Sequence, residues 1–512
     1  MSINSVQQKF IFPILIIVSC ILITLQSCKK KRPEMANKLY KETHNKIFKR
    51  ITPEGFSEVF KTVIDSEKSK LAYPQLIANF YEQNDYDPQL IMDHLFNHDL
   101  SIAAAYFMKA DEHGLNPTMF HTDEIRDLLK KFYDKKGIKT VNEAYHDMAE
   151  LELLYANSLI KYSTTLQYGL LNPKKIYVRY YTDTKLPDTA TITNVIRANS
   201  LKNYLDSIQP KDHQYVALQK ALTDILHSGD SSQEAKKRTI IVNLERLRWK
   251  NKPAAPKYVI VNIPDYTLDV MENGQSVLSM KVCDGEGRNK DNQNTIVAYN
   301  DTAATDRPFP RETPQLNSLI RYVEVNPVWN IPESIASKEI MVEAAKDPYY
   351  LGNKGIDVYK DGKLVEDPES IDWSTVPKGS SEYEFKQKPG DDNSLGKIKF
   401  IFPNKSNVYL HDTPAKSAFK LAARDISHGC IRLGEPQQLA LNLFGPGPKY
   451  NLIAKDMALD NPEPTTVNLP RKTPVYITYV TCWADNNGTL QTRQDVYGLD
   501  IVLYANMKKA GI

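Results

Sequence analysis

The chain has 512 residues, which is too long for one compact core and predicts two or three domains. Apolar residues make up 41% of the chain and charged residues 25%, which excludes a disordered or collagen-like protein. The 65 Lys and Arg residues nearly balance the 62 Asp and Glu residues, and the net charge of +3 gives no reason to expect a nucleic-acid partner.

Residues 1–28 have the composition of a lipoprotein-type export signal. Residues 10–25 are almost all apolar, a run that suits a signal-peptide core and is short for a membrane span of about 20 residues. Cys28 follows this run as the acylated cysteine of a lipobox would. An uncleaved membrane anchor is the alternative. The basic residues 29–32 disfavour it, because they place more positive charge after the apolar run than before it, which opposes export of the rest of the chain. We expect a membrane-anchored periplasmic protein, with a tether over 29–46.

Three cysteines remain after the signal region: Cys283, Cys430 and Cys482. An odd and sparse set in an exported protein is not a disulfide framework. It indicates that at least one thiol is free.

Residues 47–250 have helical periodicity. Apolar residues recur at helix spacing within 76–81 and 151–162, and Gly-Leu-Asn-Pro or similar breakers at 113–117 and 169–173 separate the helices. We predict a helical region without catalytic residues.

The pattern changes after a Pro-containing linker at 251–256, and residues 257–512 are predicted to be β-rich. Predicted strands cover 258–263, 267–270, 277–282, 397–402, 408–410 and 475–483. Asn273-Gly274 predicts a tight hairpin turn. A stretch with little periodicity at about 330–393 is predicted to be a lid, and 284–310 a polar loop near its rim. The fold class is therefore α+β and multidomain.

Thiol catalysis requires a thiolate near neutral pH, an imidazole that moves a proton and donors for an oxyanion. His411 directly follows an apolar strand, which can present its side chain at a sheet end. Cys430 lies ahead of Pro436, a residue favoured in the first turn of a helix, and a helix dipole there would favour the thiolate. Gly429 would let the backbone turn its amide N–H groups toward a reacting carbonyl.

The same residues allow other interpretations. A single cysteine in a β-rich chain is more often a small buried hydrophobe, and a single histidine is more often structural. His411, His428 and Cys430 are also zinc-ligand types, although no paired-ligand motif accompanies them. Residue types alone leave catalysis, a zinc site and a structural role open.

The run Ser427-His428-Gly429-Cys430, with His411 placed 19 residues before Cys430, resembles the signature of the L,D-transpeptidase (YkuD-type) catalytic domain. Other segments resemble the large periplasmic, scaffold-containing members of that family, namely 110–117, 168–169, 246–249, 311–314, 326–332, 347–351, 389–390, 393–396 and 468–479. The small peptidoglycan-binding module that such members usually carry is not recognisable between 200 and 246.

The resemblance implies roles for the residues of this signature. Cys430 would be the nucleophile and His411 the general base and acid. The backbone around His428, Gly429 and Cys430 would form the oxyanion hole, and Ser427 and the His428 ring would line the site. No metal or cofactor is implied.

The resemblance also places four further residues at the substrate: Tyr409, Arg432, Trp329 and Asn393. Arg432 would bind a stem-peptide carboxylate through its two-pronged guanidinium, with a surface salt bridge as the alternative.

The implied activity is the formation of 3→3 cross-links in peptidoglycan through a cysteine thioester. The partners would be a donor tetrapeptide stem and an acceptor stem, and carbapenems would acylate Cys430. An L,D-carboxypeptidase, a D-amino-acid exchange enzyme and a non-catalytic wall-binding scaffold remain the alternatives.

Overall fold

The computed structural model describes residues 34–287, 305–308, 310–377, 379–459, 462–485 and 487–512. The export signal with Cys28, and most of the predicted polar loop at 284–310, lie outside the described residues. The chain divides into two compact units. The first holds the described residues up to Leu170 with Lys185–Lys250 and Met507–Ile512, and the second holds Leu171–Thr184 and Asn251–Asn506.

The first unit is helical, as predicted. The helices up to residue 248 are α1 (34–43), α2 (Pro53–Glu67), α3 (Pro74–Gln83), α4 (Gln89–His94), α5 (Asp99–Met108), α6 (Thr122–Tyr133), α7 (Val141–Tyr168), α8 (Pro173–Ile176, in the second unit), α9 (Thr189–Asn194), α10 (Leu201–Ile208), α11 (His213–Ser228) and α12 (Glu234–Arg248). Short 3-10 turns lie at Lys46–Arg50, Lys68–Lys70, Leu95–Asn97, Ala110–His113, Pro117–Phe120 and Ser231–Gln233.

Helix α7 is the central element of this unit. It begins with a capping box, in which the Thr140 side chain accepts from the Glu143 amide and the Glu143 side chain accepts from the Thr140 amide. It ends at Gly169, whose φ of +90° is unfavourable for other residues. Most of its side chains are buried, so the other helices pack around it.

The predicted tether at 29–46 is wrong for its described part. Residues 34–43 form α1, and Met35, Ala36 and Leu39 are buried in the core of the helical unit. These three side chains lie on one helical face, so their burial outweighs the polar character of the neighbouring residues.

The second unit contains the strands. They are β1 (Tyr180–Tyr181), β2 (Lys257–Asn262), β3 (Thr267–Glu272), β4 (Gln275–Gly285), β5 (Gln315–Val325), β6 (Trp329–Ile331), β7 (Ile356–Lys360), β8 (Lys363–Leu364), β9 (Tyr383–Gln387), β10 (Ile398–Ile401), β11 (Leu410–His411), β12 (Asp425–Ser427), β13 (Ile431–Leu433), β14 (Thr465–Thr478), β15 (Cys482–Ala484) and β16 (Leu490–Thr492). The predicted boundary at 250 is wrong for β1, because Tyr180 and Tyr181 pair with β5 across a long sequence distance.

The main sheet has ten strands in the order β1-β5-β10-β11-β13-β4-β3-β2-β14, with β12 beside β4. Because β14 also pairs with β5, the ladder closes on itself around a buried core. The predicted hairpin turn is confirmed: Asn273 and Gly274 both have positive φ, and Glu272 pairs with Gln275.

The segment predicted as a lid has its own fold. Strands β6, β9, β7 and β8 form a separate four-stranded sheet over Trp329–Gln387. Apolar side chains from this segment form a separate hydrophobic cluster that includes Leu351, Val358 and Phe385. We call residues 329–387 the insertion. Its lack of sequence periodicity reflects strands of only two to five residues.

The remaining helices belong to the insertion and to the end of the chain. They are α13 (Glu333–Ile335), a π-helical turn (Ala336–Ile340), α14 (Met341–Ala344), α15 (Tyr350–Asn353), α16 (Pro436–Phe444), α17 (Pro448–Met457) and α18 (Leu499–Lys509), with 3-10 turns at Ile263–Asp265, Pro368–Ser370 and Lys416–Lys420. Among the helices of the described ranges, none is both long and apolar enough to cross a membrane.

Candidate active site

The predicted signature residues lie on two neighbouring parallel strands. In the register of β11 and β13, Leu410 pairs with Ile431 and His411 pairs with Arg432. Alternate residues of a strand point to the same face. His411 and Arg432 therefore share a face with the side chains two positions earlier on each chain segment, Tyr409 and Cys430.

These four side chains border one cavity of about 490 Å³. One wall comes from the insertion, through Trp329, Pro332, Ser334, Ile335, Lys338 and Glu339. The opposite wall holds Tyr409, His411, Ser427, His428, Cys430 and Arg432. Residues from separate sequence motifs thus line one cavity.

The ring of His411 is buried, and its Nδ1 bonds to the backbone oxygen of Asp412. Because a carbonyl can only accept, Nδ1 carries the proton and Nε2 keeps a lone pair. Burial, followed by the positive charge of Arg432, lowers the pKa of His411 to about 4. At neutral pH the imidazole is therefore uncharged and able to accept a proton at Nε2.

The surroundings of Cys430 disfavour the thiolate that the sequence argument expected. Burial raises the pKa of the Cys430 thiol, and hydrogen bonds from the Tyr409 backbone and side chain, with the charges of Lys399 and Arg432, only partly offset this effect. Cys430 also does not belong to the first turn of α16, because strand β13 lies between them in the chain.

The loop at 427–430 is fixed by hydrogen bonds at both ends. The Ser427 hydroxyl donates to the Cys430 carbonyl and accepts from the Gly429 amide at 3.1 Å. The Gly429 carbonyl in turn accepts from the Thr313 hydroxyl at 2.8 Å. Gly429 has a φ of +111°, which other residues rarely adopt. Since the Gly429 amide is engaged with Ser427, the Cys430 amide is the one of this pair left for a developing oxyanion.

Comparisons with known proteins agree with this geometry. The sequence profile of the L,D-transpeptidase catalytic domain matches residues 256–477, and that of a scaffold domain matches residues 75–222. The region that holds His411 and Cys430 is therefore similar to L,D-transpeptidase catalytic domains. A Haemophilus influenzae protein that is provisionally named an L,D-transpeptidase is 28% identical over 307 residues, a match that spans 60% of this chain and 57% of that protein.

Asn393 is not among the residues that line the cavity. Its side-chain amide is buried and donates to the backbone oxygens of Pro327 and Lys388 at 3.0 and 2.8 Å, while its Oδ1 accepts from the Leu395 amide. Pro327 precedes the insertion and Lys388 follows it. Asn393 therefore joins the two ends of the insertion, and its predicted contact with substrate stays a prediction.

Three charged residues in or beside the candidate site, Lys399, Glu339 and Arg311, were given no role from the sequence. Lys399 on β10 pairs with His411 in the sheet and lies with its Nζ 4.4 Å from the centre of the Tyr409 ring. Glu339 of the insertion bonds to His428 and to Arg311. Strand alternation could have suggested that Lys399 lies on the same face as Tyr409, but only the folded structure places Arg311 and Glu339 at the cavity and Lys399 next to Tyr409.

The zinc interpretation requires several ligands that converge on one point. Within the described residues, no group of three or more His, Cys, Asp and Glu side chains is arranged to hold a metal ion. His411 Nδ1 bonds to the backbone oxygen of Asp412, and His428 Nε2 bonds to Glu339.

Proposed function

We propose that this chain is a peptidoglycan L,D-transpeptidase that forms 3→3 cross-links between stem peptides through a thioester on Cys430. The observation that carries the proposal is the shared face of β11 and β13. It brings a thiol, an imidazole with a free Nε2 and an arginine to one cavity.

The first step is the acylation of Cys430 by the donor tetrapeptide. Because the thiol is protonated at rest, His411 Nε2 accepts the Sγ proton as sulfur attacks the carbonyl at position three of the stem. The new C–S bond replaces the C–N bond to terminal D-Ala. The imidazolium returns its proton to the leaving amine, and the Cys430 amide binds the oxyanion.

In the second step, the side-chain amine of an acceptor stem attacks the thioester, and the C–S bond breaks. Water must be kept from the thioester if transfer is to exceed hydrolysis. The wall that the insertion contributes to the cavity supports such shielding.

The charges of the cavity suit an anionic peptide. Arg311, Lys338 and Arg432 line it together with one carboxylate, that of Glu339. Arg432 Nε is buried without a hydrogen-bond partner among the described residues. A stem-peptide carboxylate would satisfy this donor, because guanidinium groups bind carboxylates in a two-pronged geometry. Trp329 and Tyr409 would contact the apolar parts of the same stem.

Incubation of the protein with a disaccharide tetrapeptide, followed by mass spectrometry, tests this proposal. Dimers that have lost one D-Ala indicate transfer, tripeptides alone indicate an L,D-carboxypeptidase, and exchange of the terminal residue indicates D-amino-acid transfer. Cys430→Ala should abolish all of these products and the carbapenem adduct, because no other group in the cavity is a nucleophile of this kind.

The matched control is Cys482→Ala, which removes a buried thiol on β15 that does not line the cavity. The circular dichroism spectrum of both variants should match that of the parent protein. Unchanged products from folded Cys430→Ala would refute the mechanism and favour a non-catalytic wall-binding scaffold.

The proposal includes the location of the protein. Stem peptides of the wall lie outside the inner membrane, so the predicted export signal with lipid on Cys28 would bring the catalytic domain to its substrate in the periplasm. Conversion of Cys28 to Ser should remove the lipid mass and release the protein from the membrane fraction.

A further inference from the structure

A second imidazole faces the cavity that contains Cys430. His428 Nε2 lies 2.7 Å from Glu339 Oε1, and the His428 side chain is 29% exposed. Since the carboxylate accepts, Nε2 carries the proton and Nδ1 keeps the lone pair. Nδ1 has no hydrogen-bond partner within the described ranges, so it is open to a ligand in the cavity.

The carboxylate of Glu339 is itself held in place. Glu339 lies in the π-helical turn of the insertion, and its Oε1 also accepts from Arg311 Nη2 at 2.8 Å. Arg311 Nη1 extends to Glu286 at 3.4 Å. The imidazole thus comes from the 427–430 loop and the carboxylate from the insertion. Arg311 holds the Glu339 carboxylate in place.

His411 and His428 differ in what balances a positive charge on the ring. His411 is buried against a backbone carbonyl beside Arg432, and its pKa is lowered to about 4, so it releases a proton readily. This suits a group that passes one proton between sulfur and a leaving amine. His428 has a carboxylate behind it, which compensates the charge when Nδ1 accepts a proton.

The two acceptors of the thioester make different demands on the site. Water loses its proton during the attack, and one imidazole at the sulfur is enough to accept it. A side-chain amine arrives as an ammonium ion at neutral pH, since its unperturbed pKa is about 10.4. It must lose one proton before it has a lone pair for attack and a second proton when the amide forms.

We propose that His428 is the general base that deprotonates the acceptor ammonium, and that Glu339 is the residue that positions His428 for this step. The inference rests on the proposed transpeptidase function and assigns the acceptor half of the reaction to these two side chains.

The protons of the transfer step balance as follows. The ammonium gives one proton to His428 Nδ1, and the free amine forms a C–N bond with the thioester carbon. The nitrogen gives its second proton to His411 Nε2, which passes it to Sγ as the C–S bond breaks. The His428 imidazolium then releases its proton to solvent, and the resting site is restored.

Replacement of Glu339 by Gln tests the proposal in the presence of both donor and acceptor stems. The amide still fills the space but cannot compensate a charged His428 ring. The rate of dimer formation should fall by at least about 10²-fold, a typical contribution of a general base. The rates of tripeptide formation and of carbapenem acylation do not depend on this base and should fall much less than the rate of dimer formation, so the dimer-to-tripeptide ratio should drop. His428→Gln should give the same pattern, and Glu339→Asp should recover part of the dimer yield.

The matched control is Glu343→Gln in the same insertion, where the carboxylate pairs with Lys346 at the surface. Its dimer-to-tripeptide ratio should equal that of the parent protein. A parallel loss of dimers, tripeptides and carbapenem adduct in Glu339→Gln would mean that Glu339 only maintains the structure, and an unchanged dimer yield would refute the proposal outright. Failure of the parent protein to form any adduct or product would instead remove the transpeptidase function itself.

Discussion

Two arginines, the buried Arg248 of the helical unit and the half-buried Arg432 of the catalytic unit, differ in how their guanidinium groups are bonded. In the helical unit, Arg248 donates to Glu245 Oε2 at 2.8 Å, to the His113 carbonyl at 2.8 Å and to the Tyr215 hydroxyl at 3.2 Å. In the catalytic unit, Arg432 points into the cavity, and its Nε has no partner among the described residues.

This difference in hydrogen bonding distinguishes an arginine that stabilises the fold from one that can bind a ligand. A buried charge that is fully bonded within the protein has nothing left to bind a ligand, and its loss leaves the partner charge exposed to a low dielectric. A buried donor that is left unbonded has a free-energy cost that a substrate group can remove. We therefore expect substitutions of Arg248 to change stability and substitutions of Arg432 to change substrate binding.

The largest expected effect is that of Arg248→Met on the stability of the helical unit. Removing one partner of a buried ion pair costs about 3–5 kcal/mol, because Glu245 keeps an uncompensated charge. Urea unfolding followed by circular dichroism measures this loss, and the double variant Arg248→Met/Glu245→Leu should recover part of it. The control is Lys202→Met, which breaks an exposed pair with Asp206 worth about 0.5 kcal/mol. Equal losses in both variants would contradict the structural role of Arg248.

A smaller effect, on catalysis alone, is expected for Arg432→Gln. The loss of a charge-assisted hydrogen bond to a stem-peptide carboxylate is worth about 1.5–3 kcal/mol, or about 10- to 100-fold in kcat/KM. The change should appear mainly in KM for the tetrapeptide, with the melting temperature unchanged. Arg471→Gln, at an exposed position of β14, is the control. A lower melting temperature without a change in KM would assign Arg432 to the fold.

The smallest change concerns the protonation state of Cys430, measured by the rate of its alkylation with iodoacetamide. Because burial raises the thiol pKa above its usual range, alkylation should rise about tenfold per pH unit through the neutral range and continue to rise at alkaline pH. His411, with a pKa of about 4, stays neutral over this range and adds no step. A thiolate–imidazolium pair would instead give a plateau from about pH 4 upward. Peptide mapping separates Cys430 from the buried Cys283, whose pKa is raised to about 11.

Much of the architecture follows from local sequence patterns. The helical spacing within 76–81 and 151–162 corresponds to α3 and α7, and Asn273-Gly274 forms the expected turn. Most predicted strand ends differ from the observed ones by one or two residues, but β14 spans Thr465–Thr478, so the strand predicted at 475–483 began too late and ran too far. The sequence predicts a tether over residues 34–43 because most of them are polar. The helix forms because its few apolar residues lie on one face and pack into the core.

The composition and local order of the chain determined the two-part α+β organisation, and the Ser-His-Gly-Cys run with His411 pointed to thiol chemistry. These features depend on residues that are close in sequence, and the local backbone conformation determines how such residues are arranged. Only the tertiary structure decided the protonation of Cys430, the structural role of Asn393 and the pairing of His428 with Glu339, 89 residues away. The burial of a side chain and its hydrogen bonds depend on which distant segments of the chain are in contact. Strand register and the folding of the loops determine these contacts.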